Sequence, residues 1–357
     1  MRYIPSNCLR PGQVLASDLI KEGCKVMLRK GVQLNELLIS KIGQLGFQGV
    51  YIQDDLSRDL EVANVISDTL KYKAKADIQS LYISIQNKTE SRAISVLELI
   101  SKVISDIVDE ILYNRKLMVN VVDLRTFDDY TFSHSVNVAV LSVVMGVALG
   151  LSRPKLNELA MGALVHDIGK VFIDRNIINK PGRLNALEFA EVKTHSMKGY
   201  EFLQAHGQTS EQALKVVLLH HEQYNGNGYP FGLCGEQIDF FGRIVCVADV
   251  YDALTSDRPY RRAMLPSDAM EYIMGGYGTM FDPKVVKAFT RKVAAYPIGT
   301  CVRLSNGVTG IVVQNYELSC LRPRLRVVAD GALTDDYLDL ASDPATLSVT
   351  IKEIIQL

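Results

Sequence analysis

All six histidines of this 357-residue chain fall between positions 134 and 221. His134 stands in "FSHSVNVAVL", His166 and Asp167 in "ALVHDIGK", His195 in "VKTHSMKGY", and His220 and His221 in "VVLLHHEQ". Asp249 joins them in "CVADVYDAL". Each stretch is otherwise mostly apolar with helical spacing. An ionisable group buried in such a helix is costly without a partner, and a set of them calls for a shared one. A metal ion is the candidate. His206, in "QAHGQTS" before a loop, reads as an ordinary surface histidine.

The two doublets carry the most information. Adjacent helical residues project about 100° apart, so a doublet can straddle a pair of ions, and an aspartate can bridge them with its two oxygens. Imidazole with carboxylate selects transition ions over calcium or magnesium. Iron and manganese are favoured, with zinc, cobalt and nickel as the other choices. A structural zinc needs only four ligands, commonly with cysteine among them; seven ligands from five helices suffice for two divalent metals with open positions. Two such ions suit hydrolysis of a phosphate ester by a bridging hydroxide.

Lys170 follows Asp167 by three residues, on the same helical face, where it can receive a phosphate or reach past the helix end to water. Arg258, Arg261 and Arg262 in "TSDRPYRRA" can grip phosphate oxygens or form a solvated face. Asn137 and Asp252 lie one turn after His134 and Asp249, where they can orient those ligands or make local helix contacts.

These residues need a framework to position them. Residues 117–295 read as mainly helical, broken at "NKPGRLN" and "YNGNGYPFG". Before them, residues 59–116 read as a helical linker. Its stripe Val96, Leu97, Ile100, Val103, Ile104, Ile107, Val108 and Ile111 fits a homodimer seam or packing onto the next domain. Residues 1–58 read as a small α+β regulatory or interaction domain, with a helix around Glu36–Leu45 and a strand at Gly49–Gln53. Residues 296–357 switch to period two around an Asn-Gly turn, a β-rich extension expected to pack on the helical domain.

Net charge is −1 and no long basic run occurs, which argues against a nucleic-acid polymer as partner. No uninterrupted apolar run approaches a membrane span, and the N-terminus lacks the apolar core of a signal peptide. The scattered cysteines form no CxxC pair and fit a reducing compartment. A cytoplasmic protein without a membrane partner is expected.

"HDIGK" together with "HHEQYNGNGYP" and "GRIVCVADVYDALTSDRPYR" resembles the HD-GYP family of the HD phosphohydrolase superfamily. The resemblance covers about residues 117–330; residues 1–58 more weakly resemble a small domain that often precedes HD-GYP domains. It implies a mainly α fold, an HD-type all-helical catalytic domain flanked by the small α+β domain and the β-rich extension. It implies a bacterial signalling phosphodiesterase that opens cyclic di-GMP to pGpG, and in many members on to GMP. His134, His166, Asp167, His195, His220, His221 and Asp249 match its metal ligands, with Asp167 bridging. Lys170, Arg258 and Arg261 match phosphate-contacting positions, and Tyr229 lines the nucleotide site. The GYP loop is associated with GGDEF-domain cyclases.

Three positions depart from the family pattern. Tyr130 stands where some members carry a glutamate for a third metal, so two metals are expected. Asn225 replaces a common aspartate but keeps its turn chemistry. Arg261 stands where lysine also occurs. Two other readings keep the same site: another cyclic dinucleotide or nucleotide phosphate as substrate, or a cyclic di-GMP receptor with negligible turnover.

Overall fold

The structure, a computed structural model, describes residues 1–21, 25–45, 47, 49–57, 60, 63–120, 130–180, 182–206, 209–256 and 263–355. Contacts divide the chain into two compact units. One comprises Met1–Asn64, Met118–Asp129 and Val293–Leu357; the other comprises Val65–Leu117 and Tyr130–Lys292. This partition differs from the four segments expected. The two end segments share one unit, and the expected linker helices belong with the histidine-bearing helices.

In the first unit, β1 (Arg2–Pro5), β2 (Val14–Leu15), β3 (Leu19–Lys21), β4 (Lys25–Leu28), α1 (Glu36–Gln44) and β5 (Gly49–Gln53) follow in order. β5 pairs antiparallel with both β1 and β2, and β3 pairs with β4. Leu15, Leu34, Ile42, Val50 and Ile52 are fully buried between sheet and helix. Asn35 caps α1 by accepting from Leu38 N at 2.9 Å. The C-terminal strands β6 (Cys301–Leu304), β7 (Thr309–Gln314), β8 (Arg324–Ala329), β9 (Ala332–Asp339) and β10 (Ile351–Ile354) form an antiparallel sheet in the order β10-β6-β7-β8-β9. Arg2 ties the segments together, pairing with Asp54 at 2.7 Å and reaching Cys301 Sγ at 3.6 Å.

The second unit is helical: α2 (Asp68–Gln86), α3 (Glu90–Tyr113), α4 (Tyr130–Ala148), α5 (Arg153–Leu164), α6 (Arg175–Ile178), α7 (Ala186–Lys193), α8 (His195–His206), α9 (Glu211–Leu219), α10 (Phe240–Thr255), α11 (Pro266–Gly275) and α12 (Pro283–Lys292). The apolar stripe of α3 is buried from Val96 to Ile111 against α2, α4 and α5 of the same chain. It is therefore filled from within, and a two-stranded seam through it is not available. α4 sits at the centre, between α5 and α10. Its window Thr131–Ala148 is apolar enough to cross a membrane, but 83% of it is buried inside the protein. That composition belongs to a core helix.

Candidate metal centre

α4 and α10 lie side by side and present the first part of the site. His134 Nε2 is 3.1 Å from Asp249 Oδ1, and His134 Nδ1 lies 2.7 Å from Asp252 Oδ2. Asn137 Nδ2 donates to the other Asp252 oxygen at 2.8 Å. The orienting role open to Asn137 and Asp252 in the sequence is the geometry found, with both side chains buried.

The doublets differ from expectation. α5 stops at Leu164 and α9 at Leu219, so His166–Asp167 and His220–His221 occupy the breaks after these helices. Lys170 lies on a following 3-10 turn, Ile168–Phe172, rather than on one helix with His166. The reason lies in the unpaired carbonyls at helix ends. His166 Nδ1 donates to Ala163 O at 2.7 Å, His220 Nδ1 to Val217 O at 2.9 Å, and His195 Nδ1 to Val192 O, in the last turn of α7, at 2.7 Å. A carbonyl only accepts, so each Nδ1 carries the hydrogen, which leaves Nε2 as the atom that can offer a lone pair to a metal. Three helix ends with partial negative charge also favour a cation here.

The lone pairs converge on Asp167. Its Oδ1 is 3.3 Å from His195 Nε2 and 3.9 Å from His220 Nε2, and its Oδ2 is 3.4 Å from His166 Nε2 and 3.9 Å from His134 Nε2. Ligand atoms of Asp167, His195, His220 and His221 lie within 4.8 Å of one another, as do those of His134, His166 and Asp167. Asp167 belongs to both sets. Asp249 faces it, with Oδ2 3.8 Å from His221 Nδ1.

These residues fit divalent metal. His195 and His220 hold their Nε2 atoms 3.3 Å apart with both Nδ1 hydrogens committed to carbonyls, so two lone pairs face each other unless a cation lies between them. His166 Nε2 and Asp167 Oδ1 are buried without any hydrogen bond. Burial, then the neighbouring imidazoles, lowers the His220 pKa well below its usual value, and burial lowers His221 to about 3. Burial works against ionised Asp167, but the Lys170 ammonium beside it is the largest of the opposing influences that hold the carboxyl far below the usual range. Neutral His220 and His221 beside an ionised Asp167 are states a metal requires.

Around this centre, Lys170 Nζ lies 2.5 Å from Asp167 Oδ2 with its side chain 31% exposed. The Tyr229 ring stacks on His221 at 4.6 Å. Burial and the two site aspartates raise the Tyr229 phenol above its usual pKa, so it stays protonated. Asn225 Oδ1 accepts from Asn227 N at 3.0 Å, which is the expected turn chemistry. Arg258, Arg261 and Arg262 lie outside the described residues, as does the Tyr130 side chain.

Two positions escape the sequence reading. Glu222 is buried, and its carboxylate accepts from Phe231 N at 2.7 Å and Leu233 N at 3.0 Å, fastening the GYP loop. Gly169 has no room for a side chain, since a Cβ would lie 1.8 Å from His195 O. Its presence within "HDIGK" was the available signal. A charged residue after two histidines carried none.

The HD domain family matches residues 113–285. "HDIGK" and "HHEQYNGNGYP" meet at one centre within that segment. That segment is similar to HD domains, and its two motifs resemble the HD-GYP type. The chain is 41% identical over 227 residues to cyclic di-GMP phosphodiesterase PA4108 of Pseudomonas aeruginosa, a match covering 62% of this chain and 55% of that protein. It is 42% identical over 144 residues to cyclic di-GMP phosphodiesterase response regulator RpfG of Xanthomonas campestris pv. campestris, covering 40% and 38%. It is 40% identical over 164 residues to 3'3'-cGAMP-specific phosphodiesterase 1 of Vibrio cholerae, covering 46% and 37%. The chain thus spans between about a third and just over half of these relatives' lengths.

Proposed function

We propose that the chain is a metal-dependent phosphodiesterase that opens cyclic di-GMP to linear pGpG in bacterial second-messenger signalling. The observation that carries this reading is the membership of Asp167 in two ligand sets, one on each oxygen. Two divalent transition ions, with iron or manganese favoured by the imidazole and carboxylate donors, would supply Lewis acidity and an activated water. His134, His166 and Asp167 would hold one and Asp167, His195, His220 and His221 the other, with Asp249, beside His134 and His221, as a further ligand.

The chain's own groups account for substrate binding. Lys170 is partly exposed beside Asp167, where its ammonium is placed to neutralise a phosphoryl oxygen. Tyr229, stacked on His221 and protonated, offers a flat face at the mouth of the centre. Arg258 and Arg261 complete the phosphate contacts in this reading. Phe231, beside the GYP motif, is 55% exposed, and this loop is the surface offered to GGDEF-domain cyclases. The reading places the protein in the cytoplasm.

A second substrate is favoured by one observation: several similar proteins are named 3'3'-cGAMP-specific phosphodiesterases. The same centre then opens a mixed dinucleotide. Protein purified anaerobically, with metals counted per chain, should convert cyclic di-GMP to pGpG or GMP and stop on chelation. Faster turnover of 3'3'-cGAMP would shift the assignment to the second substrate. Two metals with neither product would refute both.

A further inference from the structure

Tyr82 lies on α2, outside the matched HD segment and outside every motif legible in the sequence. Its side chain is 5% exposed, and its ring meets Phe132, two residues before His134 on α4, edge-on at 5.2 Å. α2 also packs against the 3-10 turn that follows Asp167. The helix that carries the phenol thus lies against both the His134 helix and the turn after Asp167. The phenol's hydroxyl oxygen is buried and has no hydrogen-bond partner.

A buried hydroxyl without a partner is destabilising, and phenylalanine would fill the same volume without that cost. Asp167 Oδ1 and His166 Nε2 are orphaned in the same way on the adjoining elements. A metal accounts for those two; the Tyr82 hydroxyl, on a helix packed against the same turn, needs a partner of its own. Burial and the Asp167 charge raise the phenol's pKa, so the hydroxyl remains a donor.

We propose that Tyr82 is a further substrate-binding residue of the centre, donating a hydrogen bond to a phosphoryl oxygen bound beside Asp167. This rests on the metal-phosphodiesterase reading above. It extends the site beyond the HD segment to a helix that sequence patterning assigns to a linker.

The test compares the manganese-loaded full chain with Tyr82→Phe, using inorganic phosphate as the probe in calorimetry and cyclic di-GMP in turnover. The variant should keep the wild-type manganese count and fold, with a metal-free melting temperature equal to or above wild type. Its phosphate affinity should fall about tenfold, as for one hydrogen bond to a charged group, and KM should rise in parallel. A role in packing alone would not move phosphate affinity at full metal occupancy. Unchanged phosphate affinity and KM in the variant overturn the inference, and so does loss of manganese, which would make Tyr82 a support of the metal ligands. If wild type binds neither manganese nor phosphate, the phosphodiesterase reading fails, and this inference with it.

Discussion

His134 and Asp252 are joined by a 2.7 Å hydrogen bond from Nδ1 to Oδ2, and Asn137 holds the second Asp252 oxygen at 2.8 Å. The bond fixes the tautomer that leaves His134 Nε2 for a metal. Partners of this kind contribute about 10- to 100-fold to metal affinity. Asp252→Ala should therefore weaken one metal by that order while leaving the other bound. Competition against a graded chelator series reads it directly, and wild-type affinity for both ions would refute the role.

Asp167→Ala removes a ligand from both sets at once. Hydrolysis should be abolished and at least one ion lost per chain, by elemental analysis of the purified variant. Full activity would falsify the bridging role.

Gly169→Ala should be among the most damaging single-methyl changes in the helical unit. The added carbon would meet the His195 carbonyl at 1.8 Å, and backbone cannot rotate away as a side chain can. A loss of about 3 kcal/mol or more is expected, with displacement of His195 and reduced metal content. Gly199→Ala is the milder control, since its nearest new contact is the Val217 side chain at 3.0 Å. Equal melting temperatures for the two variants would contradict this ranking.

The metal-free protein should lose stability towards alkaline pH. Burial opposes charge on His134, but Asp249 and Asp252 outweigh it and raise its pKa from 6.5 to about 9. A folded-state pKa above the unfolded one stabilises fully below the lower value, and that stabilisation is lost as pH rises through the higher one. The melting temperature should fall between pH 6.5 and about 9. Metal replaces this proton, so loading near neutral pH should release it. Melting curves across this range, with and without manganese, and a flat metal-free profile as the refuting outcome, make the check.

The ligand residues are legible because histidines and aspartates interrupt apolar runs where little else explains them. The helix ends that hold them are not. "ALVHDIGK" and "VVLLHHEQ" keep helical spacing up to each doublet, with no breaker just before it, so the helix reads straight through. The α3 stripe reveals which face is buried but not what buries it. The union of the two end segments depends on contacts such as Arg2 with Cys301, which local patterning cannot contain. β9 is missed because "ALTDDYLD" is too polar to alternate, although it pairs with β8 across the Asp330–Gly331 turn. By contrast α1 and β5 fall almost where their periodicity puts them.

The carbonyls at the ends of α5, α7 and α9 hold three imidazoles by their Nδ1 atoms, so the fold itself sets the ligand geometry. The three rings are oriented by backbone carbonyls and not by an ion. For the phosphodiesterase proposed above, the identity of the ion would then be a variable supplied from outside the chain, and the rate of turnover a readout of which metal is on hand.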